Sequence, residues 1–348
     1  MRHPVRHRLR WAIIVIVVLL LGVLVANQLA VESDKQWLDY GQYLASDPVP
    51  FHRTNFYSQP FLNDVFSIVF ELDQTGWLKP HDYHGRYVNI QDGWRVTPNQ
   101  PTSALHTVYF FGSSTVFNRE VPDWYTLPAQ LQALLGNEYR VENRGAWGGT
   151  TSLDLQHLKQ ISLNPGDIVL FYGGQSEAAA VFNKAFEQAE AQRPFWCSST
   201  FQRVALLRVS CRIDTIPPLI LDKNWLSAQI QTAIKEYRRD LLAAKGYTEA
   251  SHATFISILQ PYLWSRPLSA YEQAMSSHHG LVEPGRDISY EAIFPALSPL
   301  VDVDLSYVLD IQRAHGQDFY LDFIHVNHIA NGIIGRAIWR AIQVNLPF

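Results

Sequence analysis

Cysteine is almost missing from this sequence. Cys197 and Cys211 are the only two in 348 residues, too few to form a four-ligand structural zinc site by themselves. In an oxidising compartment they can close one disulfide loop of 15 residues, a constraint of ~3 kcal/mol in the chain-entropy picture; two separate buried thiols are the alternative. An excess of positive charge is missing as well. The formal net charge is -4, and the four arginines of residues 1–31 (Arg2, Arg6, Arg8, Arg10) hide a more acidic body: removing them from the 28 Lys and Arg leaves 24 against 32 acids, a net of -8. Nucleic-acid binding needs a concentrated basic face and is disfavoured. There is no internal repeat and no low-complexity tract. With 47% hydrophobic residues the chain is not a disordered polymer, and it is long enough for one large domain or two small ones with a real core.

Long apolar runs are also scarce, with one exception. Residues 11–26 carry no charge, and the apolar character continues past Asn27 and Gln28 to Val31. At ~1.5 Å per residue, 11–31 spans roughly 31 Å, about the thickness of a bilayer core. The arginine cluster before it predicts a cytoplasmic N-terminus and a body outside the cytoplasm, periplasmic or extracellular. A cleaved signal peptide is the competing reading, but the stretch is long for one and no small-x-small site ends it. Residues 1–31 are thus expected to be a basic stub and a single-pass signal-anchor, followed by a stalk and N-terminal extension over 32–100 and a main domain over 101–348.

Within the extension, 33–45 has a helical pattern behind Ser33, 46–60 is rich in proline and polar residues, and 60–72 returns to helical apolar spacing around Phe61, Val65, Ile68 and Phe70. Residues 75–101 show few periodic signals. His81, Asp82 and His84 lie close together there and have metal-ligand chemistry, but nothing nearby completes a coordination shell, so a solvated loop is the expectation and no metal site is assigned. From residue 106 strands and helices alternate. Strands are expected at 106–111, 139–143, 167–172 and 254–259, and helices at 126–135, 152–161, 176–192 and 225–244. Such alternation implies an α/β fold with a mainly parallel sheet and helices on both faces. Residues 194–222 interrupt the rhythm as an insertion.

Four segments carry chemistry. At 106–115 the sequence HTVYFFGSST reads as a strand buried on both faces that stops at Gly112, delivering Ser113, Ser114 and Thr115 to the edge where open α/β sheets place their ligand crevice. A serine there is a candidate nucleophile; a plain helix N-cap is the alternative. At 143–151, NRGAWGGTT, glycines 145, 148 and 149 leave backbone N–H groups unshielded, as binding a developing oxyanion requires. At 167–176, DIVLFYGGQS, a strand ends in a turn presenting Gln175, which is either an amide donor or a helix cap. At 322–325, Asp322-Phe-Ile-His325 puts a carboxylate where it can hold an imidazole by Nδ1–H and leave Nε2 free to take a hydroxyl proton. His328 competes for the role of base.

In order and spacing these blocks resemble the SGNH, or GDSL-like, hydrolase superfamily, whose blocks are a G-D-S or G-G-S turn, a glycine, a G-x-N-D turn and D-x-x-H. Here they read Gly112-Ser113-Ser114, Gly148, Gly173-Gly174-Gln175-Ser176 and Asp322 to His325. The resemblance covers roughly residues 106–345. Phe110-Phe-Gly-Ser-Ser-Thr115, Thr126-Leu-Pro-Ala-Gln-Leu131 and, upstream, Tyr87-Val-Asn-Ile-Gln-Asp-Gly-Trp-Arg95 are similar to exported, membrane-anchored bacterial members. The resemblance implies a three-layer α/β/α flavodoxin-like sandwich. It also implies Ser114 as nucleophile, His325 as general base and acid, Asp322 as its orienting partner, and an oxyanion hole from the N–H groups of Ser114 and Gly148 with the Gln175 side chain. Two positions depart from the pattern: Ser113 replaces the usual acidic residue, and Gln175 is one methylene longer than the usual Asn.

The expected activity is serine-dependent ester hydrolysis through an acyl-enzyme, with no metal or organic cofactor. The ester is carried by a small molecule, lipid or carbohydrate, and the bilayer is contacted through residues 11–31. An O-acyltransferase modifying an envelope polysaccharide is the alternative within the same chemistry, since acceptor choice depends on crevice shape and water exclusion. A non-catalytic envelope binding or assembly module of the same fold is the alternative from another class.

Overall fold

The computed structural model describes residues 59–191, 218–277 and 285–345. The apolar segment 11–31, the helix expected over 33–45, Cys197, Cys211 and most of the 194–222 insertion lie outside them. Among the described residues no helix is long and apolar enough to cross a membrane.

Helix α1 (Gln59–Phe66) opens the described chain, followed by five short strands, β1 (Phe70–Leu72), β2 (Leu78–Pro80), β3 (Tyr83–His84), β4 (Asn89–Gln91) and β5 (Trp94–Arg95). The apolar spacing over 60–72 therefore conceals a change of structure. The helix ends at Phe66, and β1 pairs antiparallel with β2 around a turn in which the Asp73 carboxylate accepts from the N–H groups of Thr75 and Trp77. Likewise 75–101 is two small antiparallel sheets and not a plain loop. Strands of two or three residues are too short to show a period.

The main body then runs β6 (His106–Gly112), α2 (Ser114–Phe117), α3 (Leu127–Leu135), β7 (Tyr139–Gly145), α4 (Thr151–Leu158), β8 (Ile168–Gly173) and α5 (Gln175–Ala191). It continues with α6 (Pro218–Leu221), α7 (Lys223–Ala250), β9 (Thr254–Leu259), α8 (Ala270–Ser277), α9 (Arg286–Leu297), β10 (Val303–Asp304), α10 (Asp310–Ala314) and α11 (His328–Asn345). All five strands of the central sheet are parallel, in the order β10-β9-β8-β6-β7. The apolar runs of the three inner strands β6, β8 and β9 are buried on both faces, from Val108, Phe110 and Phe111 to Val169, Leu170 and Ile256, as a sheet covered by two helical layers requires. Helix α3 packs on α11, while α4, α5, α7 and α9 pack among themselves. Three helices begin where a side chain caps them: Thr126 accepts from Ala129 N–H before α3, Thr150 from Leu153 N–H before α4, and Asp222 from Asn224 and Trp225 N–H before α7.

The strand order reverses at β6, the first strand of the sheet, which lies between β7 and β8. That reversal is a topological switch point, and the crevice of an open α/β sheet lies beyond the strand ends there. Register brings the ends level: Gly112 pairs with Gly145 on one side and Tyr172 on the other, and Gly173 pairs with Leu259. Turns that are far apart in sequence thus start from one edge.

Candidate active site

Ser114 is the first residue of α2, immediately past the end of β6. The close approach of β7 to this helix explains Gly145: a Cβ there would lie 2.1 Å from the backbone nitrogen of Phe117. Gly145 is therefore a contact glycine. Gly148 is different, with φ of +69° and only Leu78 near a hypothetical Cβ, so its backbone takes a left-handed turn in the open. Among the described residues neither the Ser114 nor the Gly148 N–H donates to another part of the chain.

The D-x-x-H segment sits in a tight turn closed by the Tyr320–Val326 bridge and by Leu321 N–H donating to His325 O at 2.8 Å. Asp322 spends one oxygen on the turn: Oδ1 accepts from the N–H groups of Ile324 (2.8 Å) and His325 (2.7 Å). Its other oxygen, Oδ2, lies 2.6 Å from His325 Nδ1, and His325 Nε2 lies 2.9 Å from Ser114 Oγ. With the ring proton on Nδ1, that nitrogen donates to Asp322 and Nε2 accepts from the serine hydroxyl. The three side chains form one chain of hydrogen bonds spanning 211 positions of sequence. His328 is placed elsewhere, as the first residue of α11 with its ring centroid 5.0 Å from that of Tyr125.

Electrostatics in this turn are dominated by burial and by charge. Burial pulls the His325 pKa down, but the charges of Asp322 and Glu120 and the hydrogen bond to Asp322 outweigh it and push it up to about 9. Burial alone raises the Asp322 pKa, yet the charge and hydrogen bonds of His325 hold it below the usual carboxylate value.

Gln175 is the first residue of α5. Its Oε1 accepts from Ser113 Oγ at 2.8 Å, so the amide NH2 is the part left to donate. Ser113 Oγ also lies 3.4 Å from Thr115 Oγ1, which donates to Gln260 Oε1 at 3.1 Å. The turns are laced to each other. Ser176 Oγ donates to Gly149 O (2.6 Å), and Thr151 Oγ1 donates to Glu177 Oε1 (2.7 Å). The loops after β6, β7, β8 and β9 are thereby fixed relative to one another.

Several residues at the site carry no motif. Glu120 Oε1 is 3.8 Å from His325 Nε2. The Trp147 ring lies parallel to the imidazole, centroids 6.1 Å apart at 7°. The Arg119 guanidinium covers the Trp147 ring at 5.1 Å and the Phe66 ring at 5.7 Å. Arg95 holds the loop that bears Arg119 and Glu120. Its fully buried guanidinium donates to Asp123 Oδ1 (2.9 Å), Phe117 O (3.0 Å), Asn118 O and Val121 O (2.6 Å). Asn89 adds a bond to Asp123, which also takes Tyr87 O through its own N–H. The 87–95 block thus buttresses the loop after the serine. The one signal for it in the sequence is the resemblance of that block to exported relatives. The metal-like group resolves differently: His81 pairs with Glu71 at 3.3 Å, both side chains exposed.

No protein-family model and no curated protein matches the chain. Among solved structures it is similar to a member of the lipolytic G-D-S-L family from Veillonella parvula, with 12% identity over 69% of this chain and 97% of that one at a TM-score of 0.40. It is similar to a carbohydrate acetylesterase from Sinorhizobium meliloti, with 14% identity over 69% of this chain and 100% of that one at 0.38. An extracellular lipase from Streptomyces rimosus gives 14% identity over 70% of this chain and 100% of that one at 0.36. These three structures are described as a lipolytic G-D-S-L family protein, a carbohydrate acetylesterase and an extracellular lipase.

Proposed function

We propose that the protein is a serine ester hydrolase that works through an acyl-enzyme on Ser114. The observation that carries this reading is the unbroken path Ser114 Oγ to His325 Nε2 (2.9 Å) and His325 Nδ1 to Asp322 Oδ2 (2.6 Å). Neutral His325 takes the Ser114 proton on Nε2 as Oγ bonds to the ester carbonyl carbon. The oxyanion accepts from the N–H groups of Ser114 and Gly148 and from the Gln175 NH2, all on turns fixed before the substrate arrives. Collapse breaks the carbon–alkoxide bond, and the departing alcohol leaves with the proton from Nε2. Water then gives a proton to Nε2 and attacks the acyl carbon, and Ser114 Oγ leaves protonated by the same nitrogen. Asp322 keeps the ring oriented and stabilises the imidazolium without taking its proton.

The full-length chain is expected to hydrolyse p-nitrophenyl acetate, and Ser114→Ala is expected to abolish this. Transfer of the acetyl group to an added sugar in place of water would assign it instead as an O-acyltransferase. Absence of both activities would leave a non-catalytic module.

The site works outside the cytoplasm in this reading, tethered by residues 11–31. The support is the uncharged 11–26 run with four arginines before it. Alkaline phosphatase fused after Phe348 is expected to be active; an inactive phosphatase with an active cytoplasmic reporter at the same point would reverse the topology.

A further inference from the structure

The Ser114–His325–Asp322 chain leaves one charged group beside the reacting atoms without a part in the chemistry. Glu120 Oε1 lies 3.8 Å from His325 Nε2, the nitrogen that faces Ser114, and the two side chains are only 11% and 10% exposed. Asp322 meets the ring from the opposite nitrogen. The imidazole therefore stands between two carboxylates, with Arg119 the nearby cation.

The loop holds Glu120 firmly. Asn118 closes α2 in a left-handed conformation, φ of +58°, a geometry that asparagine tolerates better than most residues. After this turn Arg119 lies over the Trp147 ring and Glu120 beside His325. Arg95 then ties down the carbonyls of Phe117, Asn118 and Val121 on both sides of the pair. The backbone that carries Glu120 is thus fixed by a buried guanidinium, and a fixed backbone preorganises a binding group.

Resting on the hydrolase reading above, we propose that Glu120 binds the alcohol half of the ester by accepting a hydrogen bond from a free hydroxyl next to the ester oxygen, so that the site selects partly acylated polyols. The geometry of proton transfer gives the reason. The departing alkoxide takes its proton from Nε2, so its oxygen must come within roughly 3 Å of that nitrogen. An oxygen in that position is a neighbour of Glu120 Oε1. A hydroxyl on the adjoining carbon of a polyol sits about one hydrogen-bond length farther on, within reach of the carboxylate. A carboxylate has about four acceptor sites and no donor, so bonds already made within the protein leave capacity for a hydroxyl. A simple alkyl alcohol offers it nothing, and an anionic alcohol is repelled.

The test is a matched pair of esters with the same acyl group: 1-acetylglycerol, with a hydroxyl beside the ester carbon, and n-propyl acetate, without one. The full-length protein and its Glu120→Gln and Glu120→Ala variants are compared by the ratio of kcat/KM for the two esters. The ratio cancels any change in His325 basicity that acts on both. The wild type is expected to prefer 1-acetylglycerol, and Glu120→Ala to lower the ratio about 10- to 100-fold, the usual effect of one hydrogen bond to a charged group. Glu120→Gln, whose amide oxygen still accepts, is expected to fall between. A wild type with no preference, or a ratio that neither variant alters, overturns the proposal. In the latter case Glu120 acts only through His325 or through the loop, seen as an equal change on both esters. Failure of the wild type on both esters and on p-nitrophenyl acetate would instead remove the hydrolase reading beneath it.

Discussion

Ser113 Oγ donates to Gln175 Oε1 across 2.8 Å, joining the turn after β6 to the first residue of α5. The carbonyl end of the amide is held, and the NH2 end, beside the Tyr290 hydroxyl, is the donor that remains. A glutamine side chain has one more rotatable bond than asparagine and loses more freedom on being fixed. A hydroxyl at 113 supplies that fixation where the usual carboxylate could only accept. The two departures from the family pattern are one contact.

Removing Gln175 should cost more than loosening it. Gln175→Ala is expected to lower kcat about 10²- to 10³-fold, the loss typical of one oxyanion donor. Ser113→Ala leaves the donor present and misplaced, so a smaller fall in kcat is expected with KM little changed. Steady-state kinetics on p-nitrophenyl acetate check both. Equal losses would mean that Ser113 has a role beyond holding the amide.

The pH profile should report His325. Its pKa is pushed up to about 9, and the base must be neutral to accept a proton. The kcat/KM is therefore expected to rise with pH through the neutral range and to level off only above about 9. Glu120→Gln removes one of the charges responsible and is expected to move this limb down. The same shift bears on stability. The folded-state pKa lies above the ordinary ~6.5, so its contribution is complete below that value and is lost as pH rises through about 9. Kinetics buffered from pH 5 to 10 and urea denaturation at both ends check the two statements. A limb near 6.5 would show that the neighbouring carboxylates do not act on the ring as described.

The histidines should separate cleanly. His325→Ala is expected to abolish turnover, and His328→Ala, which removes a ring packed on Tyr125, to leave most of it. Asp322→Asn is expected to lower kcat about 10⁴-fold while the protein still folds. Retained activity in His325→Ala would assign the base elsewhere.

Arg95 tests the frame around the site. Its guanidinium is fully buried against Asp123 and three backbone carbonyls. Arg95→Ala leaves a buried carboxylate and unpaired carbonyls and is expected to destabilise the fold by about 3–5 kcal/mol. The midpoint of urea unfolding measures it, and a change under ~1 kcal/mol would mean that the loop has other support.

How much of this the sequence discloses depends on range. The strands β6, β8 and β9 are legible because a strand buried on both faces must be a continuous apolar run, and the edge strand β7 because its buried residues alternate with polar ones. The turns after them are legible because glycine and serine interrupt those runs sharply. Ser114, Gly148 and Gln175 stand out as residues just past strand ends, and D-x-x-H places the carboxylate beside its own ring. Glu120, Trp147 and Gln260 have no such local signature, since their positions come from loops folded over distant strands. Arg95 is hidden for the same reason: a lone arginine beside Trp94 in a two-residue strand reads as a surface charge, and only its partners at 117–123 make it a core residue. The break between α1 and β1 is missed because Phe70 and Leu72 fit both a helical stripe and a strand alternation.

The most direct test is chemical labelling of the full-length chain with a fluorophosphonate, with the modified peptide located by mass spectrometry. The account predicts one adduct on Ser114, absent from Ser114→Ala, slowed by His325→Ala and retained by Ser113→Ala. An adduct on another serine, or labelling undiminished in Ser114→Ala, would contradict it.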